Sequence, residues 1–169
     1  NGIYKSTDGG DTWTKMGLEK TARIARIVTH PDNEDIVYVA ALGHTHGPQK
    51  ERGIYRTMDG GKSWNKVLFV DENTGGIDIA IDLNNPSILL AAMWQIHINT
   101  WGLNSGGESG GVFISRDGGD SWSRQDKNGL PGGKGNPVGK VAIAISKSNS
   151  NVMYALCEEA HPGLYRTNN

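Results

Sequence analysis

Cysteine is almost missing from this 169-residue chain. Cys157 stands alone, which excludes an intrachain disulfide framework and a zinc site built on clustered thiolates. A surplus of one charge is missing too. The 17 basic and 18 acidic residues leave a formal net charge of -1, so the chain has no basic footprint for a nucleic-acid backbone, and nucleic acid is not an expected partner. No apolar run approaches the roughly 18 residues of a membrane span. The residues from Asn1 onward read as strand, not as a charged leader followed by an apolar stretch. Nucleophile motifs, phosphate loops and dinucleotide fingerprints are lacking, so no cofactor or metal is expected. What remains is a Gly-rich composition, with 24 glycines, 36% hydrophobic and 21% charged residues, which suits one soluble domain.

Three related segments occupy that domain. GIYKSTDGGDTW runs from Gly2 to Trp13, GIYRTMDGGKSW from Gly53 to Trp64 and GVFISRDGGDSW from Gly111 to Trp122, and GLYRTNN opens a fourth copy at Gly163. The leading glycines recur every 51 to 58 residues, the spacing of a propeller blade. Between the copies lie apolar, β-branched runs broken by HPDNED, LNNPS or SKSNSN, clusters that end strands and form tight turns. Each repeat therefore reads as a four-stranded antiparallel meander A-B-C-D. The apolar runs around the first break point form strands A and B, the GIYKST-type run is strand C, and strand D starts at the tryptophan. Strand B (Ile36 to Leu42, Ile88 to Met93) is apolar on both alternating faces, as expected of a sheet packed between two others. The expected fold class is all-β: a β-propeller segment spanning 1–169, about three blades of a larger propeller, with boxes at 6–13, 57–64 and 115–122 and a truncated one from 167.

Within each box the shared core is hydroxyl, any residue, Asp, Gly, Gly, any residue, hydroxyl, Trp. Asp8, Asp59 and Asp117 align, as do Trp13, Trp64 and Trp122. Such an Asp accepts hydrogen bonds from backbone a few residues ahead, the glycines supply positive φ, and the Trp is expected to bury its ring against the blade. The position after the glycines is Asp11 and Asp120 in two copies but Lys62 in the third, which speaks against a metal loop. The boxes are expected to be structural.

These segments resemble Asp-box (BNR) repeats, which occur in sialidases, in two-propeller xyloglucanases and in the sortilin N-terminal propeller. The phrases VAALGHTHGPQKERGIYRTMDGG and LFVDENTGGIDIAIDLNNPSILLAAMW are similar to large bacterial secreted proteins that carry sortilin-like propellers and are often described as glycosyl-hydrolase-like. The resemblance spans the chain. It implies a propeller and an extracellular or periplasmic location, and brings no settled activity.

In the meander, the A-B and C-D turns share one end of the strands and the B-C and D-A connections share the other. The first group is short. B-C connections are expected from Gly43 to Arg52, from Gln95 to Gly110 and from Glu158 to Pro162, and the longest D-A connection runs from Gln125 to Lys140. A rigid scaffold with long loops on one face is how such folds carry binding sites. That face holds the candidate ligand residues His44, His46, Trp94, His97 and Trp101. Trp94 and Trp101, the two tryptophans outside the boxes, have rings suited to stacking on a sugar or a peptide side chain. His44 and His46, two apart, have no third ligand fixed by spacing. His30 sits at the opposite end as a turn residue.

An acid/base hydrolase needs two carboxylates about 5 to 10 Å apart. Asp78 and Asp82 are placed on an inner strand A, and Asp71, Glu72, Glu108, Glu158 and Glu159 on the loop face, with no pair singled out. The sialidase pattern needs an arginine cluster, and Arg23 and Arg26 point to opposite faces of one strand. The reading is a non-catalytic, sortilin-like module for a protein, peptide or glycan, with the remaining blades of its chain as partners. The alternative is part of a glycoside hydrolase similar to two-propeller xyloglucanases or sialidases.

Overall fold

The computed structural model describes residues 1–160 and 162–167. His161 in the third B-C connection and Asn168 and Asn169 of the fourth box lie outside the described residues. Strands β1 (Tyr4–Lys5) and β2 (Thr14–Lys15) pair as the C-D hairpin of a leading blade. The first complete blade follows as β3 (Ile24–Thr29), β4 (Val37–Ala41), β5 (Gly53–Thr57) and β6 (Asn65–Leu68), antiparallel and in sequence order. The second has β7 (Thr74–Ile81), β8 (Leu89–Asn99), β10 (Gly111–Ser115) and β11 (Ser123–Arg124), with β9 (Gly102–Ser105) paired to the far end of β8. The third contributes β12 (Val141–Ile145), β13 (Met153–Cys157) and β14 (Gly163–Arg166). The chain is an all-β propeller segment built of antiparallel meanders. Its one helical feature among the described residues is a single 3-10 turn at Glu19–Thr21.

The B strands explain the stacking. In β4, Tyr38 and Ala40 enter the core shared with the second blade, whereas Val39 and Ala41 enter the core shared with the leading hairpin. In β8, Leu89, Ala91 and Met93 face the first blade, while Leu90 and Ala92 face the third. Period-two alternation thus buries both faces of each B strand, one per neighbour. The sheets also approach closely. A Cβ on Gly75 would run into the carbonyl of Leu42, and one on Gly76 would lie 2.8 Å from the oxygen of Gly53. Glycines at these two points let β7 lie against the first blade.

The hairpin turns repeat nearly atom for atom. The Asp59 Oδ1 accepts the Ser63 N–H at 2.9 Å and the Thr57 hydroxyl at 2.7 Å, and Oδ2 accepts the Ser63 hydroxyl at 2.6 Å. Asp8 and Asp117 take the same bonds from Thr12 and Ser6 and from Ser121 and Ser115. Gly60 and Gly61 close the turn at φ 70 and 96, values that favour glycine. The tryptophans differ more than the repeat implies. Trp64 and Trp122 are half-buried, and Trp64 reaches back to donate its indole N–H to the Met16 carbonyl of the preceding hairpin at 2.6 Å. Trp13 is 62% exposed and bonds only within its own turn, to Gly10. Burial of the ring comes from the preceding blade, and Trp13 has none among the described residues.

Candidate ligand-binding face

The longest B-C connection is mostly strand. β8 continues through Gln95 to Asn99 and folds back as β9, pairing Ile96 with Ser105 and Ile98 with Leu103. Alternation of Trp94, Ile96 and Ile98 carries the strand beyond Trp94, so Trp94 and His97 are strand residues, not loop residues. At the hairpin tip the Asn99 side-chain oxygen accepts the N–H groups of Trp101 and Gly102, both at 2.9 Å, a local cap that fixes the turn. Trp101 is 94% exposed there.

Residues 43–52 lean on this hairpin. Ile98 donates its N–H to the Thr45 carbonyl at 2.6 Å, and the His46 Nδ1 lies 3.1 Å from the Ile98 carbonyl. Thr45 is buried and its hydroxyl accepts a bond from Arg23 at 2.6 Å, while His44 and His46 stay exposed. Beneath them lies Arg52, fully buried. Its guanidinium donates to the carbonyls of Asn73 at 2.6 Å, Gly47 at 3.0 Å and His44. Burial lowers its pKa, and the nearby Asp71 charge acts the other way. Gln49 completes the tie, accepting from the His44 N–H at 2.6 Å and donating to the Lys20 carbonyl at 2.5 Å. The loop is built around a forked cation spent on backbone carbonyls, a geometry that lysine cannot copy.

Trp94 goes elsewhere. Its indole N–H donates to the Ser105 hydroxyl at 3.0 Å, Ser105 donates to Glu158 at 2.7 Å, and the Lys140 N–H donates to the same carboxylate oxygen at 2.7 Å. The Lys140 N–H and then the Ser105 hydroxyl hold the Glu158 carboxyl below its ordinary value. The Lys140 ammonium lies 5.9 Å from the Trp94 ring. Trp94 therefore seals the seam between the second and third blades, and Trp101 is the exposed member of the pair.

Four of the five acids expected on this face have their carboxylates engaged by the fold. Asp71 accepts the Asn73 N–H, Glu108 the Gly135 N–H, Glu158 the bonds above, and Glu159 the Tyr165 hydroxyl. Asp82 lies just past β7 in the A-B turn, buried, and accepts the Asn84 N–H. No group of three or more His, Cys, Asp or Glu side chains able to hold a metal occurs among the described residues. The sequence reading missed Arg52 and Gln49, because beside the nearby His44 and Gly47 their partners include the Asn73 and Lys20 carbonyls, 21 and 29 positions away.

A family model described as Sortilin, neurotensin receptor 3 (Sortilin-Vps10) matches residues 1–129. The chain belongs to the Sortilin-Vps10 family. This Sortilin-Vps10 chain is 32% identical over 80 residues to an oligoxyloglucan-reducing end-specific xyloglucanase of Emericella nidulans, covering 46% of this chain and 10% of that protein. It is 31% identical over 78 residues to the vacuolar protein sorting/targeting protein 10 of Kluyveromyces lactis, 46% of this chain and 5% of that one. A xyloglucanase of a Paenibacillus species matches 129 residues at 27% identity, 72% of this chain and 12% of that protein. The chain thus spans about a tenth or less of the first two relatives and 12% of the third. Among solved structures, an ancestral GH74 enzyme superposes with a TM-score of 0.73 at 24% identity, covering 98% of this chain and 20% of that one. The Niastella koreensis GH74 enzyme gives 0.67 at 20% identity, with 98% and 24% coverage. Both show the propeller fold. No helix among the described residues is long and apolar enough to cross a membrane.

Proposed function

We propose that this chain belongs to a non-catalytic propeller module that binds a protein, peptide or glycan on the face carrying residues 43–52 and the β8–β9 hairpin. One observation carries the reading: Trp101 is presented at 94% exposure on a tip whose backbone Asn99 holds in place. An aromatic ring in water on a fixed support is the usual make-up of a binding anchor. The hairpins at Asp8, Asp59 and Asp117 are assigned to an Asp-box architecture with a structural role, since hydroxyls and N–H groups of their own turns surround the three carboxylates. His46, against the Ile98 carbonyl, His97 on β8 and the exposed His44 are further contacts in this reading. An extracellular or periplasmic setting follows from the resemblance to exported propellers.

Two relatives named as xyloglucanases favour a second reading, in which the ligand is a β-glucan and these blades form one wall of a hydrolase cleft. Screening the protein against glycan and peptide arrays, followed by calorimetry on the hits, tests the proposal. Trp101→Ala is expected to weaken binding by roughly tenfold or more, and Lys62→Ala, at the opposite end of the strands, to leave it unchanged. Equal loss from both variants overturns the loop-face site. Turnover of a β-glucan hit by the full-length protein replaces the first reading with the second.

A further inference from the structure

Arg52 lies where the two halves of the ligand face meet. Its side chain is fully buried, and its guanidinium donates to both halves at once. Nη2 reaches the His44 carbonyl and, at 3.0 Å, the Gly47 carbonyl of the 43–52 connection. Nη1 reaches the Ile96 carbonyl at 3.5 Å, at the root of the β8–β9 hairpin, and at 2.6 Å the Asn73 carbonyl, which also accepts the Ile96 N–H. Room for the arginine stem comes from Gly43, at φ 80, where a Cβ would lie 2.6 Å from the Arg52 Cγ.

The repeat itself does not ask for this residue. Arg52 precedes the leading glycine of its copy, and the equivalent positions of the other copies carry Asn1, Gly110 and Pro162. Its acceptors are neutral carbonyls, and the opposing charge that acts on it is that of Asp71. A guanidinium taken out of water loses solvation that such partners return only in part, so an apolar residue would fill a purely packing role as well or better. What the fork supplies is geometry, since one planar group fixes acceptors on both halves. The same halves meet again above it, where the Ile98 N–H donates to the Thr45 carbonyl and His46 Nδ1 lies against the Ile98 carbonyl.

We propose that Arg52 is the positioning residue of the ligand face: it holds the 43–49 connection and the β8–β9 hairpin in one register, so that His46 and Trp101 are presented as a single surface. This role rests on the ligand face proposed above, but it is a property of the free chain and is tested there, so that failure to find a ligand and failure of the positioning role are separate results.

Arg52→Lys keeps the charge and removes the fork. In native-state hydrogen exchange the His44, Ile96 and Ile98 amides of this variant should exchange roughly tenfold or more faster than in the parent, as the loss of charged hydrogen bonds implies, while the amides of β4 and of the Leu89–Met93 part of β8 keep their rates. The imidazole gives a second signature. In long-range nitrogen–proton NMR spectra His46 should be the Nδ1–H tautomer in the parent, fixed by the Ile98 carbonyl, and should lose that preference in Arg52→Lys. Unchanged exchange at His44 and Ile98 overturns the proposal. Acceleration shared equally by β4 also overturns it, making Arg52 a general stabiliser of the blade. If Arg52→Lys does not fold, the parent chain decides: in low urea the His44 and Ile98 amides should share one opening free energy, and separate openings overturn the role.

Discussion

Arg26 Nε lies 3.5 Å from Asp78 Oδ1, joining strand β3 of the first blade to β7 of the second, and the other oxygen of the same carboxylate accepts the Ile143 N–H of the third blade at 3.1 Å. One side chain spans three successive blades. Asp78 stands at a β-bulge, where the register with β8 slips between Gly76 and Asp78; such bulges redirect side chains. The two partners differ in exposure: the Arg26 side chain is 60% exposed and that of Asp78 is 17% exposed.

Replacing the two should therefore have unequal effects. Asp78→Ala leaves the Ile143 N–H without its acceptor and should cost about 1 to 3 kcal/mol. Arg26→Ala removes only a solvated ion-pair partner and should cost less than about 1 kcal/mol. Urea unfolding of the two variants beside the parent checks the order, and equal losses would show that the salt bridge, not the blade-to-blade hydrogen bond, matters.

The box carboxylates make the fold sensitive to acid. Hydroxyl and N–H donation from Ser63, joined by Thr57, lowers Asp59 to about 2, and the equivalent donors, Thr12 with Ser6 and Ser121 with Ser115, hold Asp8 and Asp117 well below the usual carboxylate range. Unfolded Asp titrates near about 3.9. Because the folded value is the lower one, the stabilisation is fully present above about pH 4 and is lost as the pH falls from there through about 2. Asp59→Asn should flatten the fall in melting temperature between those limits, and an unchanged profile would remove Asp59 from the acid response.

The box tryptophans should separate by their neighbours. Trp64→Ala strips a half-buried ring from the core shared with Met16 and should cost about 3 kcal/mol, whereas Trp13→Ala, at an exposed position, should cost less than about 1 kcal/mol. Thermal melts of both decide it. Equal costs would mean that the turn, not the preceding blade, gives the ring its value.

Cys157 gives a chemical check on the third blade. Burial first, with the Glu159 charge beside it, pushes the thiol up to about 11. At pH 8 the native chain should therefore resist alkylation, since the thiolate is the reactive form, and react at an ordinary rate only in denaturant. Rapid labelling of the native chain would show that β12 and β13 open readily.

What could be read from the sequence was local. The Asp-Gly-Gly turn, the hydroxyls around it and the double-faced apolar strands carry their structure within a dozen residues, and the propeller class follows from their repetition. The site was less legible. Strand β8 runs on to Asn99 because Thr45 and β9 pair with it, contacts made by distant or turned-back chain. Arg52 looks like a surface residue beside Glu51, yet the Asn73, Gly47 and His44 carbonyls enclose it. Trp94 and Trp101 looked equivalent; only the third blade, through Lys140 and Glu158, takes Trp94 out of the exposed set.

The most direct test is an exchange footprint. With an array-identified ligand bound to the full-length protein, backbone amides are followed by hydrogen exchange along the whole segment. Protection is expected at residues 44–49 and 96–104, around Trp101, with the turns at Asp8, Asp59 and Asp117 unchanged. Protection confined to those box turns, with the β8–β9 hairpin exchanging as in the free protein, would contradict the loop-face site.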